Sequence, residues 1–243
     1  MKNRPLCLRA SVCALALSIS GALLSQAAPV IFDDFNVNEG HFNQAPSFSG
    51  STAGILTSST ADRVTNAGPL EGVGCEQLVL RTNGAASVRV RFLSGGGTIG
   101  NNMPFITTAD TDGWIGCYVK TTNTGWTVQI WIEGPANNGG VPKDVIADGE
   151  WHLYEWNLDD DTGGPDGWGA VQGILGGDSF ITDGSHTIDS VIFRNTTVPD
   201  ATNVVFLDFV ALNPAGSVAG LLSDPCINTS GVLVNGPLSA DSN

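Results

Sequence analysis

Three stretches in the second half of the chain decide its fold. They are Asp148-Gly149-Glu150-Trp151-His152-Leu153-Tyr154-Glu155-Trp156-Asn157-Leu158, then Thr187-Ile188-Asp189-Ser190-Val191-Ile192-Phe193-Arg194, and last Val204-Val205-Phe206-Leu207-Asp208-Phe209-Val210-Ala211-Leu212. Each is rich in aromatic and β-branched residues, and Asp148-Gly149 opens the first with a turn signal. Outward from them the same grammar holds. Helical periodicity is nearly absent, and 31 glycines punctuate short apolar runs, the pattern of a sandwich or barrel. The strands read this way are 30–35, 77–81, 87–93, 113–121, 126–133, 151–158, 190–194 and 204–212. Turns at Asn83-Gly84, Gly95-Gly96-Gly97, Asn137-Asn138-Gly139-Gly140 and Gly163-Gly164-Pro165 separate them.

Side chains at i and i+2 share a face of a strand, so the sequence also predicts faces. Val88, Val90 and Phe92 oppose Arg89 and Arg91. Ile115, Cys117 and Val119 oppose Trp114, Tyr118 and Lys120. Trp126, Val128, Ile130 and Ile132 oppose Gln129, Trp131 and Glu133, and Tyr154, Trp156 and Leu158 oppose Glu155 and Asn157. Four strands thus carry an apolar face and a second one mixing aromatic, cationic, acidic and amide groups. An aromatic platform with convergent planar polar partners suits a sugar. The plainer reading is the wet side of an antiparallel sheet, with Arg89 or Arg91 paired across strands to Glu133 or Glu155.

The order of the closing strands resembles that of jelly-roll carbohydrate-binding modules and other galactose-binding-like domains: a tryptophan after a Gly-Glu turn, an apolar strand, and a last strand carrying an aspartate. The resemblance covers about residues 31–213 and is specific only in those three strands. It implies an all-β, antiparallel β-sandwich with jelly-roll topology, and as partner a polysaccharide or cell-surface glycan. The expected ligand-binding residues are Arg89, Arg91, Tyr118, Lys120, Gln129, Trp131, Glu133 and Glu155. It further implies a structural Ca²⁺ between the first and last strands, with Asp34 and Asp208 as acidic ligands and backbone carbonyls completing the shell. Trp151 and Trp156 would be structural. Trp168 sits in a Gly/Asp-rich loop, either as a binding aromatic at its tip or folded back as a plug.

The N-terminus carries Lys2, Arg4 and Arg9, an apolar run from Ala10 to Leu24, and small residues at Ser25 and Ala27, the layout of a secretory signal peptide over 1–27. No later stretch is apolar enough to span a membrane. The whole sequence has a formal net charge of −14, from 10 Lys and Arg against 24 Asp and Glu. Loss of the three basic residues of the leader makes it −17, a charge that repels nucleic acid. One domain is expected over 28–214, followed by a linker or tail over 215–243, or the start of a further module. The expected location is extracellular or at the cell surface.

Cys75, Cys117 and Cys226 remain after the leader, an odd number. Either Cys75 and Cys117 pair, or Cys117 is a small core residue. The acidic run Asp159-Asp160-Asp161 with Asp166 lacks EF-hand spacing and reads as a solvated turn. His41, His152 and His186 show no zinc spacing, and neither a Gly-x-Ser-x-Gly elbow nor a phosphate loop occurs. The expected role is therefore non-catalytic: a carbohydrate-binding or cell-surface interaction module. One alternative is a structural or adhesive domain of a larger surface protein. The other is a polysaccharide lyase or glycoside hydrolase using Glu133 and Glu155.

Overall fold

The alternating apolar positions close into two antiparallel sheets packed face to face. The computed structural model describes residues 28–95, 104–107, 112–135, 137–160, 163–169 and 181–223. The expected signal peptide over 1–27 lies outside them, as does most of the expected tail. The strands in chain order are β1 (Val30–Asp33), β2 (Thr60–Val64), β3 (Cys75–Arg81), β4 (Val88–Leu93), β5 (Pro104–Thr107), β6 (Trp114–Thr121) and β7 (Trp126–Glu133). They continue as β8 (Asn138–Gly140), β9 (Lys143–Asp144), β10 (His152–Asn157), β11 (Trp168–Gly169), β12 (Gly184–Asn195) and β13 (Thr202–Asn213).

One sheet, here sheet A, runs β10-β6-β13-β3-β2, with β1 joining the far end of β13. The other, sheet B, runs β11-β8-β7-β12-β4, with β5 on β12 and β9 on β7. From β3 onward the chain crosses between sheets repeatedly: β4 in B, β6 in A, β7 in B, β10 in A, β12 in B, β13 in A. This is a jelly roll, the architecture expected from the closing strands. All eight strands read from the sequence are present. The inner faces are those predicted by period two, and Val90, Phe92, Ile115, Cys117, Val119, Val128, Ile130, Ile132, Tyr154 and Trp156 fill one core between the sheets. Burying a large apolar side chain stabilises by roughly 1.5–3 kcal/mol, so this core is the main source of stability.

Trp168 belongs to that core, fully buried, with its Nε1 donating to the Asn157 carbonyl at 2.8 Å. It is the plug, not a binding aromatic at a loop tip. Cys75 and Cys117 are both free. Cys117 faces the main core, whereas Cys75 lies in a second cluster on the outer side of sheet A. Consecutive rows of the same sheet thus point them to opposite sides, which excludes a disulfide between them.

Trp151, expected to be structural, is buried in that second cluster outside sheet A with Tyr118, Leu153 and Phe209. Residues 215–223, the start of the expected tail, fold back over sheet A, where a 3-10 turn at Val218–Leu221 buries Val218 and Ala219 completely. Glu155 anchors this segment by accepting from Ser217 Oγ at 3.0 Å and Val218 N at 2.9 Å.

Glu76 is the exception in the core. Its side chain is fully buried on the inner side of β3, and neither carboxyl oxygen has a partner among the described residues. Burial, with lesser contributions from Glu39, Asp62 and Asp33, pushes its pKa from 4.5 up to about 9. The folded state therefore holds a proton that the unfolded chain releases. Stability is fully present below about pH 4.5 and declines as pH rises towards about 9, because the unfolded state binds fewer protons across that window. Glu76→Gln is expected to raise the melting temperature at pH 8, by a stabilisation of about 1–3 kcal/mol, and to add little at pH 4. Equal gains at both pH values, measured by thermal unfolding, would contradict this.

Candidate functional site

The outer faces of the two sheets are the places where polar side chains gather, and they are not equivalent. Of the eight residues expected in one groove, Arg89, Arg91, Gln129, Trp131 and Glu133 lie on the outer face of sheet B. Tyr118, Lys120 and Glu155 lie on the outer face of sheet A. The single groove of the sequence reading is therefore a correction: the core of the sandwich separates its two halves. Period two fixes inside from outside, but β6 and β7, consecutive in sequence, belong to different sheets.

The face of sheet A is filled by its own chain. Tyr118 is fully buried in the second cluster, where burial, with the nearby carboxylates of Glu155 and Glu71, pushes its phenol pKa upward. Lys120 Nζ donates to the Ala67 carbonyl at 2.5 Å and to the Gly68 carbonyl at 2.8 Å, and stands 4.5 Å from the Trp151 ring centroid. Burial lowers its pKa. Glu155 is occupied by Ser217 and Val218. These three side chains hold the 67–70 loop and the 215–223 segment in place, and no ligand-binding role remains for them.

The face of sheet B is built in rows by the strand register. Arg89, Arg194 and Thr127 form one row across β4, β12 and β7, and Arg91, Ile192 and Gln129 the next. Leu93, Ser190, Trp131 and Gly139 form the third, across β4, β12, β7 and β8. Beyond them a bulge in β12 breaks the register between Ile188 and Ser190, leaving Asp189 as the extra residue. A bulge re-aims one side chain, and here it sends Asp189 to the outer side next to Ser190. Arg91 grips it through two bonds, Nε to Oδ2 at 2.9 Å and Nη2 to Oδ1 at 2.6 Å. Ser190 Oγ donates to Asp189 Oδ2 at 2.6 Å, and Arg91 Nη2 stands 3.6 Å from Glu133 Oε1. Burial raises the Glu133 pKa, the neighbouring Asp189 raises it further, and Arg91 opposes both.

Among the buried tryptophans, Trp131 stands apart. Trp126, Trp151, Trp156 and Trp168 donate their indole N–H to Asn203 Oδ1, Gly68 O, Val141 O and Asn157 O. Trp131 Nε1 is buried and has no acceptor among the described residues. Beside it, Gln129 Nε2 donates to Gly140 O at 3.4 Å, while Gln129 Oε1 and the buried Thr187 Oγ1 have no partner among the described residues. Gly140 is glycine for packing reasons, since a Cβ there would lie 2.4 Å from the Trp156 ring. Thr187 and Asp189 belong to this site and were missed in the sequence. The signal was Ile188-Asp189-Ser190-Val191, where two polar residues in succession break the alternation and mark a bulge.

Trp131 is fully buried, contrary to the exposed platform that its alternation with Gln129 and Glu133 implied. The open part of the face is the half-buried row Arg89, Arg194 and Thr127, continued by the 12% and 17% exposed side chains of Arg91 and Glu133.

Two other sequence readings fail on geometry. Glu133 and Glu155 point away from opposite sheets and cannot flank one glycosidic bond. Asp34 and Asp208 do not form a calcium shell. Asp208 Oδ2 accepts from Leu70 N at 2.9 Å and Oδ1 from Phe209 N at 2.8 Å, while Asp34 Oδ1 accepts from Asn36 N at 3.0 Å. The carbonyls next to Asp34 are spent on a guanidinium: Arg63 Nε donates to Phe35 O and Nη2 to Asn36 O at 2.6 Å. Among the described residues no three His, Cys, Asp or Glu side chains gather to hold a metal. Hard divalent cations need several convergent oxygens, so this donor set does not fit the ion.

No protein-family model matches the chain, and no curated protein matches it. Among solved structures it is similar to an exo-β-agarase, at 9% identity and a TM-score of 0.43, over 76% of this chain and 25% of that one. It is also similar to TmCBM61 in complex with β-1,4-galactotriose, at 11% identity and a TM-score of 0.37, over 69% of this chain and 90% of that one. The chain thus spans about a quarter of the agarase. Similarity at this level carries neither ligand nor activity across; the fold stands on the strand topology itself.

The account of Asp34, Asp208 and Arg63 predicts that EDTA leaves the melting temperature unchanged at neutral pH. A fall of several degrees, reversed by added Ca²⁺, would show that a cation is bound.

Proposed function

We propose that this chain is a secreted, non-catalytic module that binds a glycan on the outer face of sheet B. One observation carries the reading: three buried polar atoms, Trp131 Nε1, Gln129 Oε1 and Thr187 Oγ1, lie on one face without a partner among the described residues. Each such atom costs about 1–3 kcal/mol unless something bonds it. A sugar hydroxyl is both donor and acceptor, so it answers an indole N–H, an amide oxygen or a threonine hydroxyl alike. The Arg91–Asp189–Glu133 group alongside supplies planar polar partners of the kind such sites use. Because Trp131 is wholly covered, a ligand first meets Arg89, Arg91 and Glu133 and reaches the indole only on displacing its cover. Asp189 is held by Arg91 and Ser190, and Arg91 also stands beside Glu133, so the carboxylates here are tied to a guanidinium rather than left free to act as an acid and a base, which favours binding over catalysis. The leader-like residues 1–27 support secretion.

A second reading is favoured by the full burial of Trp131: a structural or adhesive domain of a larger surface protein, in which water bonds the three atoms. Native electrophoresis in gels containing soluble neutral and charged polysaccharides separates the two. The binding reading expects retardation by at least one polysaccharide. Trp131→Phe, which keeps a ring but loses the N–H, is expected to weaken it about fivefold, the cost of one hydrogen bond. Gln129→Leu is expected to act likewise. The absence of retardation across the panel would support the structural reading, and retardation indifferent to both variants would place binding elsewhere.

A further inference from the structure

We propose that Phe48 is a ligand-contacting residue of this face, the ring on which the C–H side of a pyranose stacks as the glycan enters. The inference rests on the glycan reading above and adds to it the exposed aromatic surface that the buried Trp131 does not offer. Among the described residues Phe48 is the one aromatic side chain more exposed than buried, at 58%. A single exposed apolar residue is ordinary on a protein surface. What gives this one a role is the loop that carries it and the place where that loop is fastened.

The loop is a rigid mount. Phe48 N donates to Ala45 O at 2.9 Å and Thr52 N to Ser49 O at 3.0 Å, so two turns follow one another. Pro46 and Ser49 are buried on either side of the exposed ring. Thr52 Oγ1 donates to Pro46 O at 3.1 Å and accepts from Arg91 N at 3.0 Å, which ties the first turn to β4. Ala53 exchanges both backbone bonds with Arg89, at 2.8 and 2.9 Å, and Ser51 O accepts from Arg89 Nε at 2.7 Å. Gly54 follows with a φ of +84°, packed so closely on β4 that a Cβ would lie 2.5 Å from Ser87 O. Thr52, Ser51 and Ala53 thus all fasten the loop to Arg89 and Arg91, the β4 residues that border the open part of the face. Phe48 stands at that border, two residues from Pro46 and three from Ser51.

A loop held in place before contact loses little freedom on binding, and binding residues are commonly carried on loops that a rigid scaffold positions. A pyranose has hydroxyls around its rim and C–H groups on its faces. A face laid on the Phe48 ring buries apolar surface on both partners, and the rim hydroxyls then point to Arg91 and Glu133 and, one strand further, to Gln129. The contact involves no charge, so salt does not screen it.

The test is affinity electrophoresis against neutral polysaccharides: β-1,4-galactan, xyloglucan, glucomannan and mixed-linkage β-glucan. With a member that retards the wild-type chain, Phe48→Ala is expected to weaken retardation about fivefold. Phe48→Leu, which keeps apolar bulk without a ring, should lose a similar factor, and Phe48→Tyr should retain binding. The loss should be the same at about 50 mM and about 500 mM NaCl. Leu56→Ala, at a side chain 45% exposed beyond the Ala53 bridge, should bind like the wild type. Thermal melting of each variant separates a lost contact from a lost fold, and Phe48→Leu serves should Phe48→Ala melt below the assay temperature. Retardation unchanged in both Phe48→Ala and Phe48→Leu, or lost in Phe48→Tyr as fully as in Phe48→Ala, overturns the inference; the glycan reading then still stands if Trp131→Phe weakens binding. No retardation of the wild type by any neutral member overturns the inference as well, and the charged polysaccharides then decide the glycan reading separately.

Discussion

The two-pronged bond between Arg91 and Asp189 organises the outer face of sheet B. Asp189 is completely buried, and a buried carboxylate without a cation would cost several kcal/mol. The bulge in β12 makes the contact possible by placing Asp189 and Ser190 on the same side in succession. It also offsets the register by which Ser190 meets Trp131 and Thr187 meets Glu133. Asp189 and Ser190 therefore both lie between the inward-facing Ile188 and Val191. One inserted residue therefore determines both which strand positions face outward and which charge Arg91 sees.

The two outer faces carry similar residue types on the polar side of an antiparallel sheet, and differ in what those residues hold. On sheet A, Lys120 and Glu155 are consumed in holding the chain's own loop and C-terminal segment, and Tyr118 lies beneath them. On sheet B Arg91 holds Asp189 and stands beside Glu133, and an indole N–H, an amide oxygen and a hydroxyl have no partner among the described residues. The same residue types serve as glue on one side and as an unmet set of hydrogen-bonding groups on the other.

Much of this was legible in the residues. Alternation in β4, β6, β7 and β10 assigned the inner face correctly at each position, because period two is a property of the backbone alone. Which sheet a strand joins is a matter of crossovers between distant segments, and nothing local in Trp114–Thr121 or Trp126–Glu133 distinguishes them. Tyr118 and Trp131 therefore looked like neighbours and are not. The strands that escaped reading are short or atypical: Asn138–Gly140 is mostly glycine, Lys143–Asp144 is two charged residues, Trp168–Gly169 is two residues, Pro104–Thr107 is four and opens on proline, and Thr60–Val64 carries Asp62 and Arg63 on an edge. The calcium expectation failed for a different reason. Asp208 accepts two backbone N–H bonds, and Arg63, distant in sequence, donates to the Phe35 and Asn36 carbonyls beside Asp34.

On the proposed glycan reading, the buried Trp131 indole N–H, which has no acceptor among the described residues, becomes the donor to the sugar. Nitrogen-edited NMR of the tryptophan side chains, titrated with a polysaccharide that retards the protein, tests it most directly. The Trp131 indole proton should move downfield on binding, as a hydrogen bond forms, while those of Trp126, Trp151, Trp156 and Trp168, already bonded within the protein, stay in place. Movement of the Trp151 signal with Trp131 unchanged would put the ligand on sheet A and contradict the account.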